Sequence, residues 1–157
     1  MAKTLISSLL GWVLISTPLH LTWEVLHVRF YTIWQEASTG TLVYSVLHCT
    51  AGDALIAAVT FLTAALVTRR REWPRHAWRL GVPVLLTSGL AYTAASEWIN
   101  VYRLQRWAYA PDMPVIAGIG VTPLAQWLIV PLAAFWIHRR LYHAPTATHR
   151  IRLTKEG

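Results

Sequence analysis

The sequence predicts an all-α, integral membrane four-helix bundle with both termini cytoplasmic, and three observations carry the prediction. Hydrophobic residues make up 55% of the 157 and charged residues only 13%, about half the ~25% usual in a soluble domain. A soluble globule of this length needs more charge to cover its surface, and a disordered chain is not so apolar. Four apolar segments each approach the roughly 20 residues needed to cross a bilayer, and the basic residues are divided unevenly among the stretches between them. The length suits one domain, so residues 1–157 are read as a single membrane domain.

The first span covers about 5–28 (LISSLLGWVLISTPLHLTWEVLHV). Its start, Lys3 followed by LISSLLGWVLI, is built like a signal peptide, but Ser16-Thr17-Pro18 leads into more apolar sequence instead of a small-residue cleavage site. The segment is therefore expected to stay in the membrane. The second span covers about 42–68, where Ala51, Gly52, Ala54, Ala57 and Ala58 permit close helix approach. The third covers about 79–99 and the fourth about 115–137. Gly118-Ile119-Gly120 opens the fourth as packing residues, and Pro123 and Pro131 can kink it. There is no repeat at solenoid periods, no low-complexity tract and no hydrophilic second domain.

Orientation follows from the basic residues. With the N-terminus inside, the inner segments hold Lys3, then Arg69, Arg70, Arg71, Arg75 and Arg79, then Arg139, Arg140, Arg150, Arg152 and Lys155. The outer loops hold only Arg29, Arg103 and Arg106, so the split is eleven to three. That is a positive-inside signal, and it predicts a multi-pass protein of the inner (plasma) membrane. Trp34, Trp73, Trp78, Trp107 and Trp136 fall at span ends, as an aromatic belt does. A net charge of +7 in a soluble protein raises nucleic-acid binding. In blocks beside apolar spans it points instead to anionic lipid headgroups at the cytoplasmic face, and no nucleic-acid partner is expected. The basic loop 69–78 and basic tail 138–157 are read as solvated, lipid-attracted segments without chemistry. The one cysteine, Cys49, rules out an intrachain disulfide or a Cys-based zinc cage and is read as a buried thiol.

The polar residues within the spans gather toward one side of the membrane, the side away from the cytoplasm. His20, Glu24 and His27 lie near the outer end of span one, and His48 and Asp53 in the outer half of span two. Glu97 and Asn100 close span three, and Thr122 and Gln126 lie in the outer half of span four. The inner halves are almost wholly apolar or small. Ionisable groups exposed to lipid cost several kcal/mol each, so these are expected to face inward and pair, with Arg29, Arg103 and Arg106 as candidate partners. A bland alternative is a polar outer cap of snorkelling, arginine-paired carboxylates.

His20, Glu24 and His27 are offset by four and three and share one helical face. Two imidazoles and a carboxylate on one stripe suit metal ligation, or a base oriented by an acid. Glu24-x-x-His27 has the spacing of di-iron carboxylate bundles, but the second motif these require is represented only by Glu97-Trp98-Ile99-Asn100, which lacks the imidazole. Zincin chemistry is excluded because no His-Glu pair is adjacent. What remains open is a mononuclear site of His20, His27 and His48 with Glu24, a bis-histidine haem between spans one and two, or histidines that are simply hydrogen-bonded. The loop from Glu97 to Pro114 is rich in aromatics and arginines. It reads as a lid in which Arg103 or Arg106 holds an anion or carboxylate, or as interfacial anchoring.

The run Glu97…Arg106-Trp107-x-Tyr109-x-x-x-Met113-Pro114…Gly118-x-Gly120-x-x-Pro123-Leu124-x-Gln126-Trp127…Pro131, with Trp23-Glu24 and Gly52-Asp53, resembles a group of short bacterial four-span integral membrane proteins of uncharacterised function. The resemblance covers most of the membrane region and neither basic segment. It implies that Glu24, Asp53, Glu97, Arg106, Tyr109 and Gln126 form the residue set of interest.

Two functions of different class follow as expectations. The first is a small membrane enzyme or redox protein acting on a lipid-phase substrate. There His20, His27 and His48 hold a transition metal or haem, or serve as acid–base groups. Glu24, Asp53 and Glu97 are the catalytic carboxylates, and Arg103, Arg106, Tyr109 and Gln126 contact substrate. The second is an accessory or structural subunit whose buried charges serve packing, a homo-oligomer or a partner's helices. Proton or ion conduction is disfavoured by the apolar inner halves, which offer no relay.

Overall fold

In a computed structural model that describes residues 2–143, the described residues form six α-helices and one short β-hairpin. Helix α1 runs Ala2–His27 and continues as a tight turn over Val28–Phe30; a one-turn helix α2 (Ile33–Glu36) leads to α3, Thr39–Thr68. A second one-turn helix, α4 (Trp73–His76), precedes α5 (Trp78–Trp98), which widens into a turn over Ile99–Arg103. Strands β1 (Val115–Ile116) and β2 (Ile119–Gly120) pair antiparallel before α6, Val121–His143.

Three of these helical stretches, Leu5–Phe30, Thr39–Thr68 and Val121–Tyr142, are long and apolar enough to cross a membrane. Helix α5 has comparable length, 21 residues, but Arg79, Glu97 and its small polar residues make it less apolar. The expected third span thus exists as a helix without matching the other three in apolarity.

The four long helices pack in a ring, α1 against α3 and α6, and α5 against the same two. Each presents a stripe at helical spacing. On α1 it is Ser8, Trp12, Ser16, His20, Glu24 and His27; on α5 it is Gly81, Leu85, Gly89, Thr93 and Glu97. Small residues let large rings enter: a Cβ on Gly89 would overlap the Trp127 ring of α6. The end near the α3–α5 connection is filled by Trp12, Phe61, Trp73 and Phe135, with ring centroids 5.4–6.3 Å apart.

Three expectations are corrected here. The fourth helix does not begin at 115. Residues 115–120 form the hairpin, turning through Ala117 (φ 51°) and Gly118 (φ 80°), and Pro123 falls in the first turn of α6, where its missing N–H costs nothing. The segment 69–78 is not wholly solvated, since α4 turns Trp73 into the core, 0% exposed, with its indole N–H donating to the Phe61 carbonyl at 3.2 Å. Trp73 therefore does not belong to an interfacial belt. Finally, α6 extends to His143 and buries His138, so the basic tail starts later than 138; Arg150, Arg152 and Lys155 lie outside the described residues.

Candidate functional site: a carboxyl–imidazole cluster beneath a cavity

Each long helix supplies at least one polar side chain to one place. The i, i+4, i+7 spacing of His20, Glu24 and His27 buries all three on the inner face of α1. Asp53 comes from α3, Glu97 from α5 and Gln126 from α6, all buried. The Gln126 amide nitrogen is the hub. It donates to Asp53 Oδ2 at 2.8 Å and to Glu24 Oε1 at 3.2 Å, and lies 3.0 Å from His20 Nδ1. Its two protons thus face three acceptors. His20 Nδ1 also lies 3.5 Å from Asp53 Oδ2, while its Nε2 is buried and without a partner among the described residues. The ring packs on Trp127, centroids 5.2 Å apart.

His27 extends the network. Its Nε2 lies 3.1 Å from Glu24 Oε1 and its Nδ1 3.3 Å from the Thr122 hydroxyl, which itself donates to Met113 Sδ at 3.3 Å. Glu97 anchors the outer loop instead. Tyr109 and Tyr31 both donate to its Oε2, at 2.7 and 3.2 Å, and the Gly120 N–H donates to the Tyr109 oxygen at 3.0 Å. Backbone bonds reinforce the contact: Thr32 N–H to the Ala108 carbonyl at 3.0 Å and Ala110 N–H to the Phe30 carbonyl at 2.8 Å. Burial pushes both phenols above their ordinary value of 10.0, and the Glu97 carboxylate beside them pushes the same way.

A cavity of about 360 Å³ lies among the four long helices, with Glu24, His27, Asp53, Glu97 and Gln126 on its wall. Its rim includes the exposed residues Tyr44, His48, Cys49 and Gly52 of α3 and Tyr92 of α5, so it opens between those two helices. A Cβ on Gly52 would meet nothing within 4 Å, which leaves the mouth unobstructed there. Cys49 is exposed at this rim, contrary to the buried thiol expected. Arg106 also reaches the rim; Arg103 is exposed and does not line the cavity.

The expected arginine pairs do not form. Among the described residues every carboxylate ion pair is with a histidine, and Arg29 instead stands over the Phe30 ring, 4.9 Å from its centroid. The three histidines expected to hold a metal or haem are not brought together either. His48 is exposed and stacked on Tyr44, centroids 5.7 Å apart. On that end of α3, Leu42, Ser45 and Val46 are half-buried, while His48 lies on the exposed side. Both nitrogens of His27 are engaged, and His20 Nδ1 is held by Gln126. Among the described residues no three His, Cys, Asp or Glu side chains are grouped to hold a metal ion. The described side chains therefore form no such ligand group, and no chemistry is derived through a metal or haem.

The sequence reading missed Tyr31, yet the signal was present: His20, Glu24, His27 and Tyr31 continue one i+4, i+3, i+4 stripe. It also missed the use of Asn100. The wide turn closed by Leu104 N–H to the Ile99 carbonyl at 2.8 Å sets Asn100 Nδ2 to donate to the Ser96 carbonyl and hydroxyl, at 2.8 and 3.2 Å. Compared with protein-family models, curated proteins and solved structures, the chain matches none of them.

Proposed function

We propose that this chain is a four-span protein of the inner (plasma) membrane, with both termini cytoplasmic, akin to the short bacterial four-span proteins it resembles. In this reading it is a small enzyme whose Glu24, Asp53 and His27 perform proton transfer on an amphiphile that enters sideways from the bilayer. The observation that carries it is the hydrogen-bonded carboxyl–imidazole cluster on the wall of a cavity that opens between α3 and α5. Perturbable acids and bases in a cavity are where acid–base chemistry is expected. Gln126 orients the two carboxyls, Tyr109 holds the loop through Glu97, and Arg106 stands at the rim to meet the substrate's polar end. Arg69, Arg70, Arg71, Arg75 and Arg79 would rest against anionic headgroups. An accessory-subunit role has one observation in its favour, the exposed apolar residues Val43, Tyr44 and Leu47 of α3, which offer a helix face to a partner.

The test is native mass spectrometry of protein extracted in a mild detergent, comparing the natural chain with Gly52→Trp. Because a side chain at 52 meets open space, the variant should fold while its indole plugs the mouth. A co-purifying amphiphile that falls about tenfold in the variant supports the enzyme reading. A co-purifying protein lost on changing residues 39–49, with no amphiphile in either sample, supports the subunit reading instead.

A further inference from the structure

The end of the bundle opposite the cavity is basic and short of acidic partners. Five arginines fall between residues 69 and 79 and two more at 139 and 140, against one acidic residue there among the described ones, Glu72. Glu72 pairs with His76 at 3.6 Å. Two of these arginines are held on aromatic rings. Trp78, in the first turn of α5, packs on Phe135 of α6 with ring centroids 6.2 Å apart. The Arg79 guanidinium carbon lies 5.7 Å from the Trp78 centroid, and that of Arg139 lies 5.4 Å from the centroids of both rings. One indole thus has two cationic neighbours, one from α5 and one from α6. A ring contact leaves a guanidinium's hydrogen bonds to oxygen still to be made, and no carboxylate pairs with either arginine among the described residues. Like charges gathered on one ring repel, and an anion between them removes that cost. The adjoining surface is apolar. Counting back three, seven and eleven residues from Arg139, the spacing of one helix face, come Trp136, Leu132 and Leu128, all exposed.

We infer that Arg79 and Arg139 form a site for one anionic phospholipid, its phosphate held by the two guanidiniums and an acyl chain laid along Trp136, Leu132 and Leu128. The planar fork of arginine matches phosphate oxygens in a way a point charge does not. The rings of Trp78 and Phe135 order both side chains before the lipid arrives, so less freedom is lost on binding. Arg69 and Arg70, exposed on the connection after α3, attract the same leaflet without fixing a headgroup. The site rests on the membrane-spanning reading above and is independent of the chemistry proposed at the other end of the bundle.

The full chain can be reconstituted into vesicles of equal phosphatidylglycerol and phosphatidylcholine with the same acyl chains, extracted again in mild detergent, and its retained lipids counted by native mass spectrometry. One phosphatidylglycerol per chain should be retained at least about fivefold over phosphatidylcholine. Arg79→Gln and Arg139→Gln should each bring the two lipids toward parity. Arg140→Gln, which removes the same charge one residue away, should not. Trp78→Leu, which keeps every charge and removes the platform, should also lose the preference. Equal loss in the Arg139 and Arg140 variants would show diffuse attraction in place of a site and overturn the proposal. Parity of the two lipids on the natural chain would overturn it too, while leaving the membrane reading intact; failure to enter the vesicles would overturn that reading itself. Glycerophosphoglycerol, the headgroup without acyl chains, should not displace the lipid at equal concentration, and displacement would sink the lipid assignment. If Trp78→Leu does not fold, the three arginine variants still decide.

Discussion

Gln126 holds two carboxyls and an imidazole with a single amide, so its replacement exposes the site's dependence on donors. Gln126→Leu removes the amide donor held 2.8 Å from Asp53 Oδ2 and should lower stability by about 1–3 kcal/mol, read as thermal unfolding in detergent. Gln126→Glu, adding an acceptor where a donor stood, should be worse. The tyrosines on Glu97 make a separate prediction about pH. Their folded-state pKa values lie above the unfolded value of 10.0, so their contribution is intact below that pH and is lost as pH rises past it, when unfolded tyrosines ionise first. Alkaline unfolding should therefore be shallower in Tyr31→Phe/Tyr109→Phe, and the same pair should speed hydrogen exchange at the Thr32 and Ala110 amides. Much of this site was legible beforehand, because His20, Glu24 and His27 depend only on helical spacing. His48 misled for a physical reason: depth along the sequence of α3 said nothing about which side of the helix its ring occupies.

At the scale of the element, close approaches and left-handed residues set the sharpest expectations. Gly89 lies under the Trp127 indole, which in turn supports His20. Gly89→Ala should push that ring toward the cavity and cost about 1–3 kcal/mol as overpacking. Helix α3 ends on Arg69 at φ 54°, with Arg69 N–H to the Leu66 carbonyl and Arg70 N–H to the Ala65 carbonyl. Arg69→Gly should relieve the left-handed strain and raise stability by about 1 kcal/mol in the same unfolding assay. The extents of α1, α3 and α5 were readable from unbroken apolar runs. The start of α6 was not, because Val115, Ile116 and Ile119 are as apolar as a span. Only the turn residues Ala117-Gly118 distinguish a hairpin there.

Over the whole molecule, the proposed topology places Arg70 and Gln105 on opposite faces of the membrane. In a Cys49→Ala background, Arg70→Cys and Gln105→Cys should react with an impermeant maleimide from opposite sides of sealed vesicles, and labelling of both from one side would refute the four-span arrangement. The clustering of polar groups at one end was visible in the sequence as a gradient along every span. What sequence could not show is that the opposite end is closed by interleaved rings, since Trp73 comes from a basic connection and joins Trp12, Phe61 and Phe135 only in three dimensions. In a membrane that ring stack would act as an electrical insulator. In the proposed orientation most of the transmembrane voltage would drop across it, and little across the polar end. A proton taken up or released at Glu24 or Asp53 would then be exchanged with one compartment alone. The chemistry would follow the acidity of the outer face and stay indifferent to the potential that drives pumps and channels.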